Sequence, residues 1–486
     1  MIDDSNELAS ATINHGSTGK GDTGAGLSGV QQVLRAFNLT DSLTNIPTTK
    51  RGTKPGLMED ICSDANMNRA LKQVKRNKGA AGVDGMTIDD LLTFWSENSQ
   101  DIIRQLRTGS YLPKGIKGVK IPKPGGGERQ LGIPTAVDRV IQQAIAQVLT
   151  PIFDPTFSDS SYGFRPKRSA HQALIAAQDY VASGRTYVVD IDLEKFFDRV
   201  NHDMLMSKLA KRIDDKVLLK LIRRYLTAGM MNDGITTQRT EGTPQGSPLS
   251  PLLSNIMLDD LDKELTKRGH AFCRYADDCN IYVRSEKAAL RVMGSLTTFI
   301  EKHLKLTVNT SKSKAAKVSK RKFLGYRLTS DGKLRVAPES LERFKDKVRE
   351  LTKRNRGRSL ELVMKELNQT LRGWANYFKL ATNQSLWIRL DAWIRRKLRC
   401  YRLKQRKKYG AIVTWLKALG IGDKSARTVA SSGKGWWRLS KTPVLHRALS
   451  NIWFEDQKLL SLVDITGKLG KPRIETAVCD IARTVV

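Results

Sequence analysis

Short apolar runs interrupted by carboxylates are the most informative pattern in this chain. In FCRYADDCNIYV, residues 272–283, two apolar pieces, the second beginning at Asn280, flank a tight polar turn that carries Asp277 and Asp278. Upstream, TYVVDIDL at 186–193 has the β-branched composition of a buried strand and contains two more acids. Burying an isolated carboxylate is costly, so these acids need a partner. The pattern predicts neighbouring acid-bearing strands that share a divalent cation.

Glycine and proline mark segments of special backbone shape. Residues 119–134, VKIPKPGGGERQLGIP, read as a hairpin whose three central glycines permit a tight reversal. Its basic side chains suit either a solvated edge or, beside a metal site, a clamp for a triphosphate. The segment 242–255, GTPQGSPLSPLLSN, cannot be a regular strand, and Gln245 is its one long polar side chain. A short strand is predicted over 305–314, KLTVNTSKSK.

After Lys333 the pattern changes to helical spacing. Three amphipathic stripes predict a small helical bundle. The stripes are Leu341, Phe344, Val348 and Leu351; Leu360, Val363, Met364, Leu367, Leu371, Trp374 and Phe378; and Leu386, Leu390, Trp393, Ile394, Leu398 and Tyr401.

Charge adds a partner to this picture. The 486 residues contain 83 Lys and Arg against 49 Asp and Glu, a net charge of +34, which implies a polyanion such as nucleic acid. Residues 341–410 hold 21 of the basic residues against 6 acids, so the bundle is expected to face RNA. No apolar run long enough for a membrane span and no secretory signal is evident. Five scattered cysteines without a CxxC pair favour a reducing cytoplasm over a disulfide framework or a zinc module.

Several blocks in order resemble one family. VVDIDLEKFFD, GTPQGSPLSPLLSN, YADD, LTVNTSK and FLGY look like the fingers and palm of a reverse transcriptase. With KGAAGVDGMT, IPKPGGGERQLGIP and SYGFRPKRSAHQAL upstream, the set is similar to the group II intron reverse transcriptase/maturase family. The resemblance implies an α+β right-hand polymerase, with an antiparallel palm sheet followed by a helical thumb. The implied activity is RNA-directed DNA synthesis from dNTPs on an RNA template with a DNA primer.

The chemistry of nucleotide addition agrees with this resemblance. Two Mg²⁺ ions can activate a primer hydroxyl and neutralise the leaving pyrophosphate, and carboxylates on neighbouring strands can hold them. Asp190 and Asp192 lie two apart and share one face of a strand, so spacing leaves both open. The family pattern of an acid, two aromatics and a second acid matches Asp192, which with Asp277 and Asp278 forms the predicted metal site.

The resemblance also implies roles around this site. Lys123 and Arg129 would contact the triphosphate, with Lys120 less suited, while Gln245 and Gly246 would line the nucleotide pocket and Lys312 would lie near primer or phosphate. Phe196 or Phe197 would exclude a 2′-hydroxyl, although Phe196 reads equally well as a core aromatic. Ser247 stands where the family more often has glycine. The predicted RNA contacts are Arg165 and Lys167 in a block that interleaves aromatic and basic residues, and Arg395, Arg396 and Arg399 in the bundle.

The basic bundle with GWANYF at 373–378 resembles the maturase, or thumb, domain of the family. That resemblance implies binding of the group II intron RNA and promotion of its splicing and mobility. The tail contains Trp436, Trp437 and Trp453 and reads either as a helical cap burying them or as an appendage that binds target DNA. Because paired cysteines and a histidine cluster are lacking, no endonuclease is expected.

The sequence therefore predicts four regions. They are a flexible extension at 1–57, fingers and palm at 58–335, a thumb/maturase domain at 336–421 and a basic C-terminal segment at 422–486.

Two alternative functions stay open. One is a splicing-only RNA-binding cofactor with a vestigial polymerase site, and the other is a reverse transcriptase from a retron, a diversity-generating element or a CRISPR-associated system. The intact acids count against the first, and the basic bundle with GWANYF counts against the second.

Overall fold

The computed structural model describes residues 56–122, 127–232 and 235–467. Nearly all of the predicted flexible extension therefore lies outside the described residues. The chain divides into two compact units, with the division after Gly332; unit 1 precedes Lys333 and unit 2 follows from it. Both helices and sheets are present, so the predicted α+β class is confirmed.

Unit 1 contains helices and strands in alternating groups. Its helices are α1 (Leu57–Cys62), α2 (Asp64–Asn77), α3 (Ile88–Thr108), α4 (Ala136–Phe153), α5 (Ala170–Ala182), α6 (Phe196–Arg199), α7 (His202–Ala210), α8 (Lys216–Thr227), α9 (Ser250–Lys267) and α10 (Glu286–Phe299). Its strands are β1 (Ile116–Pro122), β2 (Glu128–Ile133), β3 (Tyr187–Ile191), β4 (Met230–Asn232), β5 (Ile235–Thr237), β6 (Ala271–Tyr275), β7 (Asp278–Val283), β8 (Lys314–Lys317) and β9 (Tyr326–Leu328).

Two four-stranded sheets organise unit 1. One has the order β6-β7-β3-β8, and all of its pairs are antiparallel. The other has the order β2-β1-β4-β5 and contains the predicted glycine-tipped hairpin, β1 against β2. The acidic strands therefore lie side by side in one sheet, as their composition predicted.

The strand predicted over 305–314 is wrong in its position. The segment forms a turn, and β8 begins only at Lys314. Lys305 has a φ of +55°, and the Asn309 side chain accepts hydrogen bonds from Ser311 Oγ at 2.7 Å and the Lys312 amide at 3.3 Å. An asparagine that binds the next residues of its own backbone favours a turn over a strand.

Helix α4 is the central helix of unit 1 and is buried along most of its length. Thr135 caps it, accepting a hydrogen bond from the Asp138 amide at 3.1 Å. The buried Asp138 carboxylate accepts hydrogen bonds from the hydroxyls of Tyr111 at 2.9 Å and Tyr225 at 3.1 Å. A buried acid is tolerated here because several donors surround it. These bonds fix α4 to α8 and to the segment that leads into β1.

Unit 2 is mainly helical, as the three stripes predicted. It comprises β10 (Leu334–Val336), α11 (Pro338–Leu351), α12 (Leu360–Phe378), α13 (Gln384–Arg406), α14 (Tyr409–Ala418), α15 (Asp423–Ala430), α16 (Trp436–Leu439), α17 (Pro443–Ala448), α18 (Asn451–Asp456) and α19 (Leu462–Thr466). In its core the Trp374 ring stacks on Phe344 at 4.0 Å and meets the buried Trp387 edge-on at 5.4 Å. None of the helices in the described ranges has the length and hydropathy needed to cross a bilayer.

The tail differs from the predicted cap that buries its tryptophans. Trp437 is 39% exposed, and Trp436 and Trp453 are half-buried. The buried aromatic residue is Phe454 instead. Helix α16 has only 4 residues, and α17 and α18 have 6 each, so they are too short to enclose large side chains on all sides.

Candidate functional site

Three acidic residues lie where the acidic strands end. Strand β3 pairs with β7 in a register that sets Ile191 opposite Cys279, so the next residue outward, Asp192, falls opposite Asp278. Strands β6 and β7 are joined by a two-residue turn of Ala276 and Asp277, in which Ala276 has a φ of +59°. The sequence pattern placed Asp278 in the turn together with Asp277. In the structure Asp278 is instead the first residue of β7. The register brings all three predicted acids to one edge of the sheet.

Asp192 lies in a defined electrostatic setting. Its amide donates a hydrogen bond to Ser313 Oγ at 3.0 Å, and its carbonyl accepts one from the Asn309 amide at 2.8 Å. Lys312 Nζ lies 3.7 Å from Asp192 Oδ2. The turn at 309–313 thus brings one predicted phosphate contact beside one predicted metal ligand.

The neighbouring acid, Asp190, has a different environment. Its buried carboxylate accepts a hydrogen bond from Arg321 Nε at 2.8 Å and forms an ion pair with Arg321 Nη2. A buried carboxylate held by a guanidinium in this way serves structure, because the pair neutralises the charge within the sheet. The contact distinguishes Asp190 from Asp192, which spacing alone left open.

Sequence reasoning missed Arg274, which supports the turn from below. Its guanidinium is fully buried and donates to Asp262 Oδ1 at 2.7 Å, Asp262 Oδ2 at 2.6 Å, Asn255 Oδ1 at 2.9 Å, Ser161 Oγ at 2.8 Å and the Ala276 carbonyl at 2.7 Å. The last bond holds the residue that precedes Asp277. An arginine inside an apolar strand was the available signal, because a buried guanidinium requires acidic and carbonyl partners.

Gly163 packs directly against the same turn. A Cβ atom at this position would lie 2.2 Å from the Ala276 nitrogen, so only glycine allows the approach. The Gly163 carbonyl accepts a hydrogen bond from Asn255 Nδ2 at 2.9 Å. The SYGF segment therefore braces the acidic turn, a role that its sequence did not indicate.

The bent loop with Gln245 lies against the glycine-tipped hairpin. The Gly132 amide donates to the Gln245 carbonyl at 2.8 Å, and Gly246 has a φ of +110°. Gln245 Oε1 is buried and has no hydrogen-bond partner within the part of the chain that the structure describes. Ser247, where the family more often has glycine, is buried and donates a hydrogen bond to Gln142 Oε1 on α4. A buried acceptor of this kind ordinarily has a donor.

The other predicted nucleotide contacts are placed as follows. Phe196 and Phe197 are both buried in the core of unit 1, with ring centroids 5.2 Å apart. On the hairpin, Arg129 pairs in register with Ile121 and is half-buried, and Lys120 forms an exposed ion pair with Glu128 at 3.4 Å. Lys123 lies outside the described residues.

Two of the predicted RNA contacts are buried and bonded within the protein itself. Arg165 is buried and donates to Asp154 Oδ1 at 2.8 Å and to the carbonyls of Ser158 at 2.6 Å and Ser161 at 2.9 Å. Arg399 is buried and donates twice to the Leu449 carbonyl, at 3.0 and 2.7 Å. Charge counts cannot distinguish an arginine on a surface from one that satisfies backbone carbonyls.

The remaining predicted RNA contacts differ in exposure. Lys167 is exposed. Arg395 is half-buried and lines a small cavity with Asp391 and Phe454. Arg396 lies over the Trp437 ring, 3.8 Å from its centroid, and donates to the Trp437 carbonyl at 3.1 Å. The C-terminal segment therefore covers part of the face of α13 that the charge pattern assigned to RNA.

The described residues contain no group of three His, Cys, Asp or Glu side chains arranged to hold an ion. The donor set at the sheet edge is nevertheless suitable in kind. Asp192, Asp277 and Asp278 offer carboxylate oxygens, the hard ligands that Mg²⁺ prefers.

Two family models match the chain. Residues 121–328 match "Reverse transcriptase (RNA-dependent DNA polymerase)", and residues 341–418 match "Group II intron, maturase-specific domain". The first match contains the acidic sheet edge and the Gln245 loop. The second lies wholly within unit 2.

Similar proteins include Protein YkfC of Escherichia coli strain K12, which is 33% identical over 343 residues, 62% of this chain and 88% of that protein. The group II intron-encoded protein LtrA of Lactococcus lactis subsp. cremoris is 37% identical over 195 residues, 40% of this chain and 32% of LtrA. A chain of a solved Cas6-RT-Cas1--Cas2 complex has 24% identity and a TM-score of 0.35, covering 54% of this chain and 46% of that chain.

Proposed function

The chain belongs to the group II intron reverse transcriptase/maturase family, and we propose that Asp192, Asp277 and Asp278 carry its polymerase chemistry. Proteins of this family join an RNA-directed DNA polymerase to a maturase domain that serves splicing and mobility. The observation that supports this assignment is the register of β3 and β7, which sets Asp192 opposite Asp278 beside the turn with Asp277. Members of the reverse transcriptase family use divalent metal ions.

We assign two Mg²⁺ ions to these three carboxylates. When bound, such a pair activates the primer 3′-hydroxyl and neutralises the leaving pyrophosphate. Asp190 takes no part in the proposal, because Arg321 already holds its carboxylate. Lys312, whose Nζ lies 3.7 Å from Asp192 Oδ2, would balance negative charge as substrate phosphates approach.

The nucleotide pocket is proposed to lie between the hairpin and the Gln245 loop. The buried Gln245 Oε1 would accept a hydrogen bond from the substrate, and Gly246, with its positive φ, lets the backbone turn at this place. Arg129, with Lys123, would bind the triphosphate. Phe196 or Phe197 would lie against the sugar and exclude a 2′-hydroxyl, and the burial of both rings leaves the choice between them to mutagenesis.

We extend the proposal to domains and partners. Residues 58–335 form the fingers and palm, 336–421 the maturase domain and 422–486 a segment that contacts target DNA. The partners are intron RNA, an RNA template with its DNA primer, and dNTPs. The cytoplasm, close to the nucleoid, is the proposed location. The match to the maturase-specific domain supports this lineage over the retron, diversity-generating and CRISPR-associated alternatives.

The deciding experiment is primer extension on an RNA template with Mg²⁺, comparing the native chain with Asp277→Ala. The variant should lose DNA synthesis, and Asp203→Asn, an exposed acid paired with Arg223, serves as the control. Unchanged synthesis by Asp277→Ala would reject the site. A splicing assay on the intron forms the second arm. Asp277→Ala should still promote splicing, and a native chain that splices without polymerising would instead support the splicing-only cofactor.

A further inference from the structure

Aromatic and cationic side chains alternate along one part of unit 2, which includes Arg396 of the predicted RNA contacts. Arg349 Cζ and Lys397 Nζ lie 6.0 and 5.6 Å from the centroid of the Trp393 ring. Lys397 Nζ also lies 5.1 Å from the Trp437 ring, and Arg396 Cζ lies 3.8 Å from it. We call this set the cation-aromatic ladder: Arg349, Trp393, Lys397, Trp437 and Arg396. It joins α11, α13 and α16.

The ladder is accessible from outside. Trp437 is 39% exposed, and the Arg349 side chain is 46% exposed. Trp393, Lys397 and Arg396 are half-buried. Large exposed tryptophans are unusual in a folded protein and commonly mark contact surfaces.

The ladder also carries unused binding capacity and a strong positive charge. Arg396 Nε is buried and has no hydrogen-bond partner in the described ranges, although its Nη2 donates to the Trp437 carbonyl at 3.1 Å. Arg349 Nη1 donates to Asp346 at 2.5 Å, which is the one acid hydrogen-bonded to the ladder among the described residues. Arg349 Nη1 also forms an ion pair with Glu342 Oε2 at 3.6 Å. Among the described residues, three cations of the ladder therefore meet two acids, and the positive excess complements a polyanion.

The chemistry of this arrangement fits an unpaired nucleic-acid strand. Exposed bases stack on tryptophan rings and guanidinium planes, while cations between the rings neutralise the phosphates. A regular duplex hides its bases and offers the rings nothing to stack on. The spacing of cations and rings therefore favours a single strand.

We propose that the cation-aromatic ladder binds an unpaired segment of the intron RNA. This inference rests on the maturase assignment, because Arg349, Trp393, Arg396 and Lys397 lie within the maturase-specific match at 341–418 and Trp437 follows it. The ladder also replaces Arg399 as the RNA contact of α13, since the Leu449 carbonyl already occupies that arginine.

The test uses the full chain and a fluorescein-labelled twelve-nucleotide oligouridylate, with binding measured by fluorescence anisotropy. Trp437→Ala should raise the Kd about tenfold, the loss expected for one stacked base, and Trp437→Phe should stay within about threefold of the native chain. Lys397→Gln should reduce the slope of log affinity against log salt concentration by about one, because one phosphate contact is lost. Trp436→Ala, its half-buried neighbour outside the ladder, should bind as the native chain does.

A duplex RNA of the same length should bind Trp437→Ala and the native chain equally. An oligouridylate with 4-thiouridine should crosslink under ultraviolet light to the peptide that contains Trp437. Equal Kd values of Trp437→Ala and the native chain for the oligouridylate would overturn the ladder proposal. The same tenfold loss of duplex RNA binding in Trp437→Ala would also overturn it. Equal binding of oligodeoxyuridylate, with the same loss in Trp437→Ala, would overturn the assignment to RNA. Primer extension by the native chain, run in parallel, distinguishes failure of the ladder from failure of the polymerase assignment.

Discussion

Arg274 and Asp262 form an ion pair whose side chains are both completely buried, with two guanidinium nitrogens 2.7 and 2.6 Å from the two carboxylate oxygens. The same guanidinium donates to the Ala276 carbonyl at 2.7 Å, one residue before Asp277. A buried pair of this kind contributes little net stability, but removing one partner leaves a charge without compensation. The pair is therefore placed to hold the acidic turn in a single position.

Arg274→Ala should lower the free energy of unfolding by about 3–5 kcal/mol, because Asp262 would remain buried without its cation. Denaturant unfolding monitored by circular dichroism measures this loss. Arg274→Lys keeps the charge but loses the two-pronged geometry, so it should fold and yet synthesise DNA more slowly than the native chain.

The matched control is Arg223→Ala. Arg223 forms an ion pair with Asp203 at 2.6 Å, with side chains 41% and 83% exposed. An exposed pair contributes roughly 0–1 kcal/mol, so this variant should unfold almost as the native chain does. If Arg274→Ala were no less stable than Arg223→Ala, the positioning role would be rejected.

Ser247→Gly should weaken nucleotide binding. The Ser247 hydroxyl fixes the Gln245 loop to Gln142 on α4, and a buried hydrogen bond contributes about 1 kcal/mol. We expect the KM for dNTP to rise about fivefold while kcat changes less than about twofold. Steady-state primer extension measures both constants. Ser254→Ala is the control, because its hydroxyl donates a hydrogen bond within its own helix, to the Pro251 carbonyl at 2.8 Å. An equal KM in the two variants would show that the loop needs no such anchor.

Stability should fall on mild acidification because of His202. This buried side chain donates its Nε2 proton to the Gly242 carbonyl at 2.7 Å, and burial lowers its pKa below the usual 6.5. As the pH falls below about 6.5, the unfolded chain takes up the proton first, so folding loses free energy. His202→Gln keeps a donor without a titrating ring. The midpoint temperature of thermal unfolding should therefore fall less steeply between pH 7.5 and 5.5 in this variant than in the native chain. Parallel curves of this temperature against pH for the two proteins would contradict the prediction.

Arg399→Ala should destabilise unit 2. The Leu449 carbonyl would lose both of its guanidinium donors, a change of roughly 1–3 kcal/mol for a buried group. Thermal unfolding measures the loss. Arg389→Ala, an exposed position on the same helix, should change stability by about 0.5 kcal/mol or less. If Arg399→Ala were as stable as Arg389→Ala and instead lost RNA binding, the earlier assignment of Arg399 to the RNA surface would be correct.

The local pattern of the chain predicted much of the fold. Short apolar runs predicted the strands next to Asp192 and Asp277, three glycines predicted the β1/β2 hairpin, and helical stripes predicted the bundle of unit 2. These signals are readable because they depend on neighbours close in the sequence. Motif order then identified the family before any contact was known.

Tertiary structure decided which charged residues serve which purpose. Asp190 and Asp192 share a strand face, yet Arg321, 131 positions from Asp190, neutralises the first. Arg399 carries the same charge as Arg349, but the Leu449 carbonyl, 50 positions away in the sequence, holds it inside. The physical reason is that burial and partner choice depend on contacts far apart in the sequence, which composition and spacing do not encode. Residue types could therefore predict that the chain binds metal and nucleic acid, whereas only the packing shows which side chains remain available to do so.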